Sequence, residues 1–339
     1  MKRSLKIVLM TAGLLCAAGV VLSGVAFAVG GFGLQAFSAG DMSQEKRYDL
    51  SATDAAGLDK VLLDVQDLPL EVSPSDDDGV HIRYWEDEKD SYTLSLENGE
   101  LRLIHTREPD YFSWLTDGMF SGLAELGRKV VLELPASYAG ALQLGTSNNS
   151  IRLESFRQLA ACSLKTSNGS IRLTGIAAGS LTAETTNASI AVRDLTADTA
   201  RLSSTNGTLS AEGVRLTGDL AASTTNSSLI LKEVACAGLE ASTTNGGLKL
   251  IHTAATGRVQ AGTTNGGIRI EALSSPDIRL SSTNGSVRGT VAGDVREYAV
   301  SSHTTNGESN LPDSAVYDLP NRLDVRTTNA SIDVTFIEP

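Results

Sequence analysis

The chain has 339 residues, with 28 Lys and Arg against 40 Asp and Glu, for a formal net charge of −12. That balance argues against nucleic acid as a partner, because phosphate binding needs a basic face. The length allows two domains, but a repeat architecture can absorb it as one body.

Lys2, Arg3 and Lys6 precede a stretch from Ile7 to Gly40 with no charged residue. Its apolar heart, residues 7–29, has 23 residues and is long enough to span a bilayer. Residues 1–6 then read as a short cytoplasmic tail and 7–29 as a transmembrane anchor or uncleaved signal. The Ala26-Phe27-Ala28 pattern keeps cleavage after Ala28 open as the alternative. The positive-inside rule places everything after Gly40 outside the cell, so the expected location is the cell membrane, single-pass, with the C-terminal region extracytoplasmic.

Residues 30–57 read as a stalk. Residues 58–135 hold alternating runs such as VLLDVQDLPLEV and VHIRYW, with a good hairpin signal at Glu97-Asn98-Gly99-Glu100. This segment is expected to be an irregular β region that closes the first end of the repeats. It is also acidic: residues 48–135 carry 7 Lys and Arg against 20 Asp and Glu. An insert at 108–128 breaks the β pattern and concentrates Phe112, Trp114, Met119 and Phe120. It reads either as a lid over one flank or as a partner-docking element.

Residues 136–339 repeat one phrase, as in TSNGSIRL, TTNASIAV and TTNGGLKL. Its asparagines are Asn148, Asn168, Asn187, Asn206, Asn226, Asn245, Asn265, Asn284, Asn306 and Asn329, spaced 19 to 23 residues apart. A period near 20 predicts an all-β β-solenoid (β-helix) of about ten 19–23-residue turns, because a single repeat cannot bury its own apolar face. With the asparagine as position zero, positions −6, −4 and −2 alternate inward, and −2 is always Thr or Ser. Positions +3, +5 and +8 are again apolar, so two strands meet at a corner at the Asn-Gly step. Gly at +1 suits a residue with positive φ. The asparagines share parity with the inward threonines, which predicts an internal ladder of amides bonding the turns above and below. The rival reading turns them outward as caps of a surface turn. The chain ends ten residues after Asn329, so the last turn is expected to lie exposed and to permit end-to-end self-association. Cys162 and Cys236 lie nearly four repeats apart, too far for a disulfide, and are expected to be free core residues.

A basic start, the Gly-rich apolar stretch AAGVVLSGVAFAVGGFG, a VVLELP strand and tandem T-[ST]-N-G-[SG]-I-x-[LI] turns together resemble the bacterial "putative adhesin" family. The resemblance implies a membrane-anchored β-solenoid with a domain of unknown function. It implies a cell-envelope location and a non-enzymatic role, and it supplies no catalytic residues.

The residues themselves carry no strong chemistry. Asp76-Asp77-Asp78-Gly79 lacks the ligand spacing of an EF-hand. His81, His105, His252 and His303 are scattered without metal-type spacing. No Gly-rich phosphate loop and no G-x-S-x-G elbow occurs. No catalytic residue, metal or cofactor is therefore expected. The leading expectation is a display rod that binds an envelope polymer or a membrane protein. An accessory or sensor subunit docking through 108–128 stands second, and a glycan-active β-helix enzyme third.

Overall fold

The computed structural model describes residues 44–86, 90–107, 128–312 and 319–338. The expected anchor (7–29), the first half of the stalk (30–43) and all of the 108–128 insert but its last residue, including Phe112, Trp114, Met119 and Phe120, lie outside the described residues. Among those that are described, no helix is long and apolar enough to cross a membrane. Nearly all of them belong to one compact unit, Glu45–Asp110 with Leu126–Pro339. That unit is a β-solenoid.

Each repeat supplies two short parallel strands. One carries positions −6 and −4, the other +3 and +5. The second-strand column runs Ile151, Ile171, Ile190, Leu209, Leu229, Leu248, Ile268 and Val287, each the register partner of the next. All eight are at most 1% exposed. The first-strand column runs Leu142, Cys162, Leu181, Ala200, Leu220, Leu239, Val259 and Ile278. Stacking these columns gives one continuous core that no single turn could enclose.

From Ala141 to Ala292 the turns stack in chain order. At both ends they do not. The Lys60–Asp64 strand pairs with Ala141–Gly145 on one side and Glu100–Arg107 on the other. The Leu70–Pro74 strand lies likewise between Ile151–Glu154 and Val130–Leu134. Residues 60–74 are thus a full rung inside the region expected to be irregular, while 100–134 supplies the strands of the rung beyond it. Two antiparallel strands close this end: Asp90–Glu97 on Glu100–Arg107, and Val80–Glu86 on Val130–Leu134. Asn98 and Gly99 join the first pair with φ of 51° and 75°, as a two-residue hairpin with positive φ at both positions requires.

The expected stalk also needs correcting. Gln44–Leu50 is a strand paired with Val80–Glu86, followed by one helical turn, Ala52–Ala55, capped by Ser51.

The far end mirrors this arrangement. The last repeat, Asn321–Thr327 with Ile332–Ile337, is not terminal in space. Leu323 lies between Ile278 and Val300, so the final turn is inserted between the Asp277–Ala292 turn and the Tyr298–Thr304 strand. The expected exposed last turn is therefore an interior rung, and the preceding repeat forms the end.

Candidate functional site

The corner is built from a hydroxyl, a glycine and an amide. The Thr or Ser at −2 is buried in almost every turn. The Thr263 hydroxyl donates to the Gly246 carbonyl of the preceding turn (2.9 Å) and accepts from the Gly266 N–H of its own (3.2 Å). Ser282 repeats this with Gly266 and Gly285, both at 2.9 Å. One small hydroxyl thus satisfies two backbone groups that the turn would leave unpaired.

The +1 glycines do not have positive φ. Close approach requires them instead: a Cβ on Gly207 would lie 1.7 Å from the Ala188 carbonyl oxygen. Among the Asn-containing repeat turns, no two neighbours both carry a side chain at +1; Asn149, Ala188, Ser227 and Ala330 each face glycine in the adjoining repeat turns. Positive φ falls at +7, in Ser155, Gly175, Asp194, Gly213, Glu233, His252 and Ala272. The sequence hides this second corner, because only two of the seven are glycine.

The asparagine amides bond turn to turn, but on the outside. Asn148 and Asn226, like the other eight, are exposed. Asn168 donates to Asn148 at 2.6 Å, Asn187 to Asn168 at 2.6 Å and Asn226 to Asn206 at 2.6 Å. The file continues through Asn245, Asn265 and Asn284. It then follows the spatial order, with Asn329 donating to Asn284 and Asn306 to Asn329, both at 2.7 Å. Asn148 donates to Asp67, which holds the asparagine's place in the 60–74 rung. A carboxylate only accepts, so Asp67 fixes the direction of every amide in the file. The inward expectation fails because the strand ends near the −2 hydroxyl. Parity breaks before the asparagine and not after it.

On the second-strand face lies a trough of about 630 Å³. Its axis is the +4 column, where Lys249, Arg269 and Arg288 are successive register partners. All three are exposed, and among the described residues none forms an ion pair. Gly247 and Gly267 keep one flank low, with Ser228 and Ser286 beside them; Glu271 and Thr290 stand on the other. Gly289 has φ of 130°, and a Cβ there would meet the Ile270 carbonyl oxygen at 1.7 Å. The ladder shifts register between Ile270 and Leu273, so the chain bulges at this rung. Ile230 and Asp333 occupy the same column on either side and bound the cationic run.

Some other outer cations are neutralised by carboxylates. Lys232 pairs with Glu212, Arg258 and Arg279 both reach Asp277 (2.6 and 3.1 Å), and Arg322 and Arg326 both reach Asp324 (3.1 and 2.9 Å). His81 bridges two carboxylates, with Nδ1 2.6 Å from Asp49 and Nε2 2.8 Å from Asp77. The bonds to Asp77 and Asp49 raise its pKa, and its ring lowers that of both partners. Cys162 and Cys236 are free and buried, and burial pushes the Cys162 thiol up to about 12. Among the described residues no group of three or more His, Cys, Asp or Glu gathers as a metal site.

The profile of the family described as Toastrack DUF4097 matches residues 58–321. No curated protein matches the sequence. Among solved structures, the chain is similar to a putative adhesin from Bacteroides fragilis at 11% identity and a TM-score of 0.41, covering 87% of this chain and 98% of that one. It is also similar to a putative cell adhesion protein from Clostridium sporogenes at 11% identity and a TM-score of 0.19, covering 87% of this chain and 100% of that one.

Proposed function

The chain belongs to the Toastrack DUF4097 family, and from that premise we propose that it is a non-enzymatic, adhesin-like envelope protein whose solenoid is a rigid display rod. Residues 7–29 tether it to the cell membrane and the rod stands outside, where its lateral faces bind a surface polymer or protein. One observation carries this reading. The polar residues of the repeat phrase are spent on holding turn to turn, through the −2 hydroxyls and the amide file, while the outer columns remain free to vary from turn to turn. A scaffold that fixes its interior and varies its surface suits recognition along a face.

The test is capture from intact cells. The full-length tagged protein is crosslinked in place and its partners are identified by mass spectrometry, with purified envelope polymer tested for direct binding. Attachment to envelope polymer or an envelope protein is the expected result. Recovery from the cytoplasm with no envelope attachment, or release of cleaved glycan products on incubation, overturns the proposal.

A further inference from the structure

We propose that the Lys249–Arg269–Arg288 column binds a linear acidic polysaccharide carrying a carboxylate on successive sugar residues. This rests on the display-rod reading and names its ligand class.

Three features of the trough point to that chemistry. The first is spacing. Lys249, Arg269 and Arg288 sit on consecutive rungs, so their backbones rise by one strand spacing, about 4.8 Å each. That rise is close to the length of one sugar ring in an extended polysaccharide, so ring and rung stay in step, and the long Lys and Arg side chains can reach carboxylates on either edge of the chain. The second is charge. On a chain with net charge −12, three cations stacked on successive rungs without an ion-pair partner among the described residues repel one another, whereas the Asp277 and Asp324 clusters each set a carboxylate between two arginines. A ligand carboxylate at each rung removes that repulsion, and the guanidinium forks of Arg269 and Arg288 can take it with two N–H donors. The third is shape. Gly247 and Gly267 lower one wall, and Ser228 and Ser286 line it with hydroxyl-bearing side chains able to bond sugar hydroxyls. Glu271 and Asp333 also line the trough. Both accept hydrogen bonds from sugar hydroxyls, and Asp333, next after Arg288 in the column, ends the run of bound carboxylates at three.

The test uses the full-length protein in detergent and four probes: a linear 1,4-linked polygalacturonate, neutral dextran, linear polyphosphate and single-stranded DNA. The expected result is binding of polygalacturonate that weakens with added salt, with the other three weaker or silent. The triple variant Lys249→Gln, Arg269→Gln, Arg288→Gln should then lose roughly tenfold or more in affinity. A control triple, Arg172→Gln, Arg201→Gln, Arg215→Gln, changes the net charge equally on other exposed positions and should keep wild-type affinity. Melting curves of both triples should match the wild type, which separates lost binding from lost fold. Equal losses in the two triples, or no loss in the trough triple, overturn the site. Tighter binding of polyphosphate or DNA overturns the carboxylate assignment. Silence toward all four probes, while crosslinking still recovers another envelope ligand, overturns this inference and leaves the display reading standing. Absence of any envelope attachment removes both.

Discussion

The middle of the solenoid and its two ends use the same rung differently. Between Ala141 and Ala292 the chain climbs one rung at a time. At each end it steps over a rung and returns, so residues 60–74 and 321–337 are enclosed by segments that lie elsewhere in the chain order. The contrast shows that the repeat phrase encodes the shape of a rung but not its neighbour. Any rung with aliphatics at −6, −4, +3 and +5 fits any other. Which one it meets is set by the length of the connections. The spacings of 22 and 23 residues before Asn306 and Asn329 supply the chain needed to step over.

The contrast can be broken first at the glycines. Gly207→Ala, between Ala188 and Ser227, should cost about 3 kcal/mol, the upper range for overpacking a tight interior. Gly307→Ala, on the end repeat, should cost clearly less; equal urea midpoints for the two variants would show that mid-stack and end rungs are equally constrained. Next comes the buried hydroxyl. Thr263→Val leaves the Gly246 carbonyl and the Gly266 N–H without partners and should cost about 2 kcal/mol or more. Thr304→Val removes one bond, to Ala330 at 2.9 Å, and should cost about half as much.

The amide file yields a smaller and directional effect. Asn226→Asp removes a donor in mid-file and faces one acceptor with another, for about 1 kcal/mol. Asp67→Asn keeps an acceptor for Asn148 and should be nearly neutral by thermal melt. The reverse order would mean that Asp67 does not set the direction of the file. At the second corner, Ala272→Gly should stabilise by about 0.5–1 kcal/mol, since glycine accepts φ of 50° without the Cβ penalty. No gain in midpoint would argue against a left-handed conformation there.

The last prediction concerns pH at the first end. His81 donates to two carboxylates only as an imidazolium, and its pKa is raised in the folded chain. Its contribution is complete below the ordinary histidine value near 6.5 and is lost as pH rises through the raised folded value. Asp77 and Asp49 are lowered, so their share is present above the ordinary aspartate value near 3.9 and is lost as pH falls through the lowered folded values. Hydrogen exchange of Gln44–Leu50 should therefore speed up at alkaline pH, while that of Leu229–Cys236 keeps its protection relative to intrinsic exchange. Uniform behaviour across the two strands would rule out a local clasp.

Much of this was legible in the sequence. The aliphatic columns and the −2 hydroxyls follow from period two, because burial selects the same atoms in every turn. The 60–74 rung is hidden in the sequence because Val65 and Asp67 replace the Thr and Asn of the phrase, although Val61, Leu63, Leu70 and Val72 keep the spacing. The +7 corner is not legible because Glu233, His252 and Ala272 occupy a conformation usually signalled by glycine. The asparagines face outward although their parity matches the inward threonines, because the strand ends before the alternation reaches them. The trough could be glimpsed from the cations at +4, but its vacant flank depends on how Gly247 and Gly267 stack, which no one-dimensional pattern states.

The corner also bears on how the protein ages. Asn followed by Gly is the dipeptide most prone to deamidate: the glycine nitrogen attacks the asparagine side-chain carbonyl, a cyclic imide forms and ammonia leaves. In Asn265-Gly266 and Asn284-Gly285 that nitrogen is tied to a hydroxyl, and the departing amide is held by the turn below. Both reacting partners are restrained, so a chain rich in the most fragile dipeptide should outlast its composition. Asn306 has a file neighbour on one side only among the described residues, and chemical wear should begin there and travel inward.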